Sequence, residues 1–144
     1  MDRATLAEAI LQSSGDAIVA TDSEGLITAW NVGATRIFGF DEAAALGQSL
    51  DLIIPENQRA RHWAGYREVM MTGKSRYADG ATLAVPALRA DGSRISIEFT
   101  IVPLKDGTGA MTGMVSILRD VTERFAELRE LRKALAAAKA AAPV

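Results

Sequence analysis

Near the start of the chain Leu6 and Ile10 stand four apart with Leu11 beside them, a spacing that predicts a short amphipathic helix over residues 2–13. Ser13-Ser14-Gly15 ends it. Residues 16–22 form a β-branched run with an aspartate at each end, and Ser23-Glu24-Gly25 turns the chain into a second run at 26–30. The two runs read as a hairpin. Asn31 is placed to cap a following helix that runs into Ile37-Phe38-Gly39-Phe40, because its side-chain oxygen can accept from a free N–H two or three residues on. Asp41 caps the next turn, residues 42–46, and Gly47 stops it. Residues 48–54 are apolar without a decisive period. Pro55 opens the longest interior helix, roughly 56–72, closed by Thr72-Gly73.

Beyond Gly80 the period changes to two. Residues 82–88 form a strand broken by Pro86, which predicts an edge position or a bulge. Asp91-Gly92 is a hairpin turn. In the next strand Ile95, Ile97, Phe99 and Ile101 face one way, and Arg94, Ser96, Glu98 and Thr100 the other. Asp106-Gly107 turns into a last strand at 111–118. From Thr122 the helical period returns, with Val121, Leu128 and Leu135 at seven-residue intervals and Phe125 and Leu131 beside them. An alanine-rich tail follows. Two strands, several helices, then three strands and a terminal helix predict an α+β fold: a five-stranded antiparallel sheet with short helices on one face. A small cavity between them is the natural ligand site.

Composition removes several chemistries. The 144 residues suit one domain, and no cysteine is present. Structural disulfides, thiol nucleophiles, iron–sulfur clusters and cysteinyl–flavin photochemistry are therefore excluded. His62 is the single histidine, a poor basis for a zinc site. Sixteen basic against eighteen acidic residues give a net charge of −2, without the basic block that nucleic-acid binding calls for. No apolar run is long enough to span a bilayer, and the start of the chain lacks a secretion-signal profile. The expectation is a cytoplasmic protein with neither nucleic acid nor membrane as partner. No phosphate-binding loop, dinucleotide fingerprint or nucleophile elbow is present, so the chain is expected not to be an enzyme.

The interior helix carries the most specific signal. At 100° per residue, His62, Val69, Tyr66, Met70 and Trp63 share an arc of about 120°, with Arg61, Arg67 and Glu68 outside it. His62 thus points toward the expected cavity. It is either a core histidine bonded to a backbone carbonyl or to Tyr66, or a ligand.

Several motifs, in order, resemble a PAS domain over about residues 13–122. They are Asp16-Ala17-Ile18 with Thr21-Asp22 and the Gly25 turn; Trp30-Asn31; Ile37-Phe38-Gly39-Phe40 with Gly47; Arg89-Ala90-Asp91-Gly92-Ser93; and Arg119-Asp120-Val121-Thr122-Glu123-Arg124. The resemblance implies a sensory and interaction fold with an internal pocket and a relaying terminal helix. The organisation is then a flanking helix at 1–13, a sensor domain at 14–121 and a helical signalling linker at 122–144. Asp120 and Thr122, with Thr122 as the helix N-cap, mark the junction where strain in the sheet passes to that helix, or else serve geometry alone.

Haem-binding oxygen sensors of this family carry their axial histidine on the corresponding helix, in a segment similar to Arg59-Ala60-Arg61-His62. This implies b-type haem with His62 as the iron ligand. Arg59 and Arg61 are either partners of the propionates or plain solvated charges, and the site either favours carbon monoxide or nitric oxide or takes Met111 or Met114 as a sixth ligand. Two departures stand out: the strand slot where those sensors carry an oxygen-holding arginine holds Leu83, or Thr82 or Ala84 if the register slips, and the tyrosine falls one place later, at Tyr66. The expected cofactor contacts are His62, Tyr66, Val69, Leu83, Ile97, Phe99, Val115 and Ile117, with Phe38, Leu52 and Ile53 also toward the pocket. Another small ligand is the alternative to haem. A ligand-free interaction and dimerisation module is the alternative to a sensor. The expected partners are a second copy, met through the N-terminal helix and the terminal seam, and a signalling effector. The competing expectation folds the terminal helix back onto the open sheet face.

Overall fold

A computed structural model describes residues 2–74 and 84–142. Helix α1 spans Arg3–Leu11, with the Asp2 carboxylate accepting from Ala4 N–H at its start. Strands β1 (Ala17–Asp22) and β2 (Ile27–Trp30) follow, then α2 (Val32–Phe38) and α3 (Glu42–Ala45). Two short 3-10 turns, Leu50–Ile53 and Glu56–Gln58, lead into α4 (Arg59–Thr72), which Gly73 ends in the left-handed region. Strands β3 (Val85–Leu88), β4 (Arg94–Lys105) and β5 (Met111–Asp120) precede α5 (Thr122–Ala141).

All strand pairs are antiparallel, in the order β2-β1-β5-β4-β3. The expected α+β architecture is present. Pro86 sits in β3 at the sheet edge, where a strand can lack one donor.

Asn31 is the polar pin of the first half. Buried, it accepts through Oδ1 from Ala34 N–H to cap α2 and from Ile18 N–H of β1, both at 2.8 Å. Its amide donates to the Ser13 and Asp16 carbonyls at 3.0 Å. One side chain thus joins helix, strand and the chain leading out of α1, and its buried polar atoms are all paired.

The main core lies on the helix-bearing face of the sheet. Trp30 and Phe38 are almost fully buried there with Val19, Ile27, Ile37, Ile53, Ile97 and Leu118. A second cluster, Tyr66, Val69 and Met114, packs α4 against β1 and β5. The opposite sheet face is partly open, with Val102 47% and Ile117 38% exposed. α5 does not cover it: Leu128, Leu131 and Leu135 are 44, 67 and 57% exposed. The fold-back expectation is not met.

Candidate functional site

Where the two clusters meet, a cavity of about 390 Å³ opens between α4 and the sheet. That volume lies at the lower end of the range for small-molecule pockets. Its floor is Val19 and Thr21 of β1, Ile97, Phe99 and Ile101 of β4, and Met114, Ser116 and Leu118 of β5. Leu50, Ile53 and Ile54 close one end, Val85 to Ala87 of β3 flank it, and α4 forms the roof.

Two side chains fix α4 over this cavity. The Trp63 indole N–H donates to Asp51 Oδ1 at 2.7 Å. The Tyr66 hydroxyl donates to the Asp22 carbonyl and lies 2.9 Å from Thr21 Oγ1. The Trp63 ring also rests on the β1–β2 turn at Gly25, where any Cβ would overlap the indole and where φ is +82°. Only glycine meets both demands.

His62 projects from this anchored helix into the cavity wall. Its ring meets Trp63 edge-on at 4.6 Å and lies 6.0 Å from Tyr66. Nδ1 is buried and has no hydrogen-bond partner among the described residues. Among the described residues neither a backbone carbonyl nor Tyr66 bonds Nδ1. Burial holds the imidazole below the ordinary value of 6.5, with the Asp51 carboxylate pulling the other way. Near neutral pH His62 is an uncharged base.

The structure brings His62, Tyr66, Val69, Ile53, Ile97 and Phe99 together on the cavity. Leu83 lies outside the described residues. Phe38 and Leu52 belong to the core beneath it instead.

Val115 and Ile117 are corrected: they point to the outer sheet face, and Met114, Ser116 and Leu118 take their place. The cause is a bulge. Lys105 pairs with Met111, but Leu104 pairs with Gly113, so Thr112 is an extra residue in β5. An unbroken hairpin would set Val115 and Ile117 opposite Ile101 and Phe99. The bulge flips that parity, setting Ser116 opposite Ile101 and Leu118 opposite Phe99.

Sequence reasoning also missed Val19 and Thr21, although the period-two pattern of Ala17, Val19 and Thr21 marks them. Of the two methionines, Met114 lines the cavity, while Met111 packs only against the second cluster.

Arg59 is corrected too. Its guanidinium donates to the Ile54 carbonyl at 3.0 Å and lies 3.8 Å from Asp51, so it braces the 3-10 turn. Arg61 and Lys74, with Glu68, stand at the rim of the cavity. None of these three side chains forms an ion pair among the described residues.

At the far end of β4 and β5, Thr122 is the first residue of α5 rather than its cap. Its hydroxyl donates to Asp120 Oδ1 at 2.6 Å and accepts from Ser96 N–H of β4 at 2.9 Å. The strand N–H has claimed the oxygen that a capping threonine would offer to its own helix. Asp120 also accepts from Thr122 N–H at 2.9 Å, and Val121 N–H donates to the Ser96 carbonyl at 2.8 Å. Arg124 reaches Glu98 at 2.7 Å. Ser96 and Glu98 thus hold α5 while the alternating Ile97 and Phe99 line the cavity.

An antiparallel sheet, helices closing a cavity and a terminal helix hydrogen-bonded to the sheet define an α+β module. A family model of the PAS fold matches residues 5–121, and the chain belongs to the PAS family. It is 30% identical over 134 residues to the sensor protein FixL of Bradyrhizobium diazoefficiens, covering 92% of this chain and 26% of that protein. The chain thus spans about a quarter of that relative's length. A PAS domain of a Colwellia psychrerythraea protein superposes with a TM-score of 0.73 at 25% identity, covering 85% of this chain and 99% of that one. An RNA-binding light-oxygen-voltage receptor shares the fold with a TM-score of 0.75 at 23% identity, over 93% of this chain and 37% of that one. No described helix is long and apolar enough to cross a membrane.

Proposed function

We propose that this PAS domain senses through its cavity, that the ligand is haem b held by His62, and that occupancy is passed to a signalling effector through α5. The observation that carries the reading is the His62 ring on the cavity wall, uncharged near neutral pH and with a buried nitrogen that no described group bonds. A buried polar atom without a partner costs about 1–3 kcal/mol.

The residues around it fit the group. Ile53, Val69, Ile97 and Phe99 offer apolar walls, while Arg61 and Lys74 put positive charge at the rim where propionates would emerge. Met114 supplies a thioether on the facing strand. When bound, haem supplies an iron that takes up diatomic gases.

Haemin titration with an absorbance readout tests this. One haemin per chain with a sharp Soret band, lost or shifted in His62→Ala, is the expected result. If the wild type takes up no haemin, the haem reading fails. Mass spectrometry of the purified protein and thermal shifts with a ligand panel then separate a sensor of another small molecule from a ligand-free interaction module.

A further inference from the structure

The chain has no cysteine, so all of its oxidisable sulfur is thioether. Four of its five methionines, Met70, Met71, Met111 and Met114, gather where the end of α4 meets the first half of β5. Their exposure is graded. Met71 is 86% exposed, Met70 and Met111 are half-buried, and Met114 is 2% exposed on the cavity.

Met70 and Met111 hold the contact between the two elements. Met70 stands one turn beyond Tyr66 on α4 and Met111 opens β5, and both pack against the cluster of Tyr66, Val69 and Met114. Tyr66 is the last residue of α4 with a hydrogen bond to the sheet. Among the described residues, no hydrogen bond or ion pair ties residues 67–74 to any strand. The end of the helix is therefore seated by apolar packing in which thioethers supply much of the surface.

A cation stands at the same corner. A Cβ on Gly73 would lie 3.4 Å from Lys105 Nζ and 4.0 Å from Met111 Sδ, so both atoms face the end of α4. Lys105 has no ion-pair partner among the described residues.

We propose that Met70 and Met111 form a reversible sulfoxidation site, at which a hydroperoxide frees the end of α4 from β5. A thioether lone pair attacks one oxygen of hydrogen peroxide, the O–O bond breaks, and its electron pair leaves on the other oxygen. The proton of the attacked oxygen passes to the leaving one, giving a sulfoxide and one water. Sulfur loses two electrons and the peroxide gains them. At Met111 the Lys105 ammonium donates a hydrogen bond to the departing oxygen and then to the sulfoxide. A sulfoxide is polar, and burying it unpaired in this contact is unfavourable, so the contact opens. Val69, a roof residue of the cavity, moves with it. Met71 lies outside the contact and takes up oxygen without consequence, while Met114 is shielded. The proposal does not depend on what fills the cavity.

The test uses the full chain, with no haemin added, treated with hydrogen peroxide. Peptide mass spectrometry maps the sulfoxides against amide exchange and thermal unfolding. Met71 is expected to oxidise first and silently. Oxidation of Met70 and Met111 is expected to speed exchange over residues 69–73 about tenfold and to lower Tm by about 3–6 °C, with Met114 intact. Methionine sulfoxide reductases are expected to reverse both changes. Met70→Leu with Met111→Leu keeps the apolar contact and is expected to abolish the response, whereas Met71→Leu retains it. Lys105→Ala is expected to slow Met111 oxidation about threefold against Met71 in the same sample. An unchanged Met111 rate removes Lys105 from the site. A response that persists in the Met70→Leu, Met111→Leu protein, or Met70 and Met111 oxidising no faster than Met114, overturns the proposal. These readouts involve no haem, so their failure leaves the cavity reading standing.

Discussion

Thr122 accepts the backbone N–H of Ser96 through its hydroxyl oxygen at 2.9 Å. This bond joins the first residue of α5 to a strand whose alternate residues, Ile97 and Phe99, form the cavity floor. A displacement of β4 normal to the sheet therefore moves the donor that holds α5.

Thr122→Val keeps the shape of the side chain and removes both of its hydrogen bonds. The expected cost is about 1 kcal/mol in urea unfolding, with faster amide exchange at residue 96 and over the first turn of α5. Thr122→Ser retains the hydroxyl and is expected to stay within about 0.5 kcal/mol of wild type. Loss in Thr122→Ser with none in Thr122→Val would show that the methyl group, rather than the hydroxyl, holds the junction.

Gly25 and Gly92 separate backbone strain from steric overlap. Both have positive φ, +82° and +84°, but a Cβ at Gly92 meets open space and one at Gly25 meets the Trp63 ring. Gly92→Ala should cost about 1–2 kcal/mol from the left-handed conformation alone. Gly25→Ala should cost more than that, because the indole must leave Asp51 as well, and combining it with Trp63→Ala should recover part of the difference. Chemical denaturation of the four proteins checks this; equal costs at the two glycines would contradict the packing described.

His62 makes stability depend on pH with a definite sign. Its folded value lies below 6.5, so the unfolded chain binds the proton more readily. Its contribution is complete above pH 6.5 and is lost as pH falls through the lowered folded value. In protein to which no haemin has been added, wild type should lose stability on going from pH 7 toward pH 5. His62→Leu should flatten that slope. An unchanged slope in the variant would place the dependence on other groups.

The fold was legible because its elements are written in local chemistry. Strict alternation from Ile95 to Ile101 gave β4 and its cavity face, Asn31 gave the start of α2, and Pro86 gave an edge strand. The helical arc through His62, Tyr66 and Val69 gave the cavity roof. What stayed hidden depends on distant partners. β5 carries aliphatic residues on both faces, so its parity follows from the bulge at Thr112 and the pairing with β4 rather than from its own pattern. Arg59 looks like a free rim charge until the 3-10 turn brings the Ile54 carbonyl to it. Thr122 reads as a cap until Ser96 of another element takes its oxygen.

The central claim is that what fills the cavity is felt at α5. Hydrogen exchange at Ser96, Val121 and Thr122, with and without saturating haemin, tests it most directly. The account predicts exchange rates there shifted about threefold or more in wild type and unshifted in His62→Ala. A wild-type protein that binds one haemin per chain while these three amides exchange unchanged would contradict it.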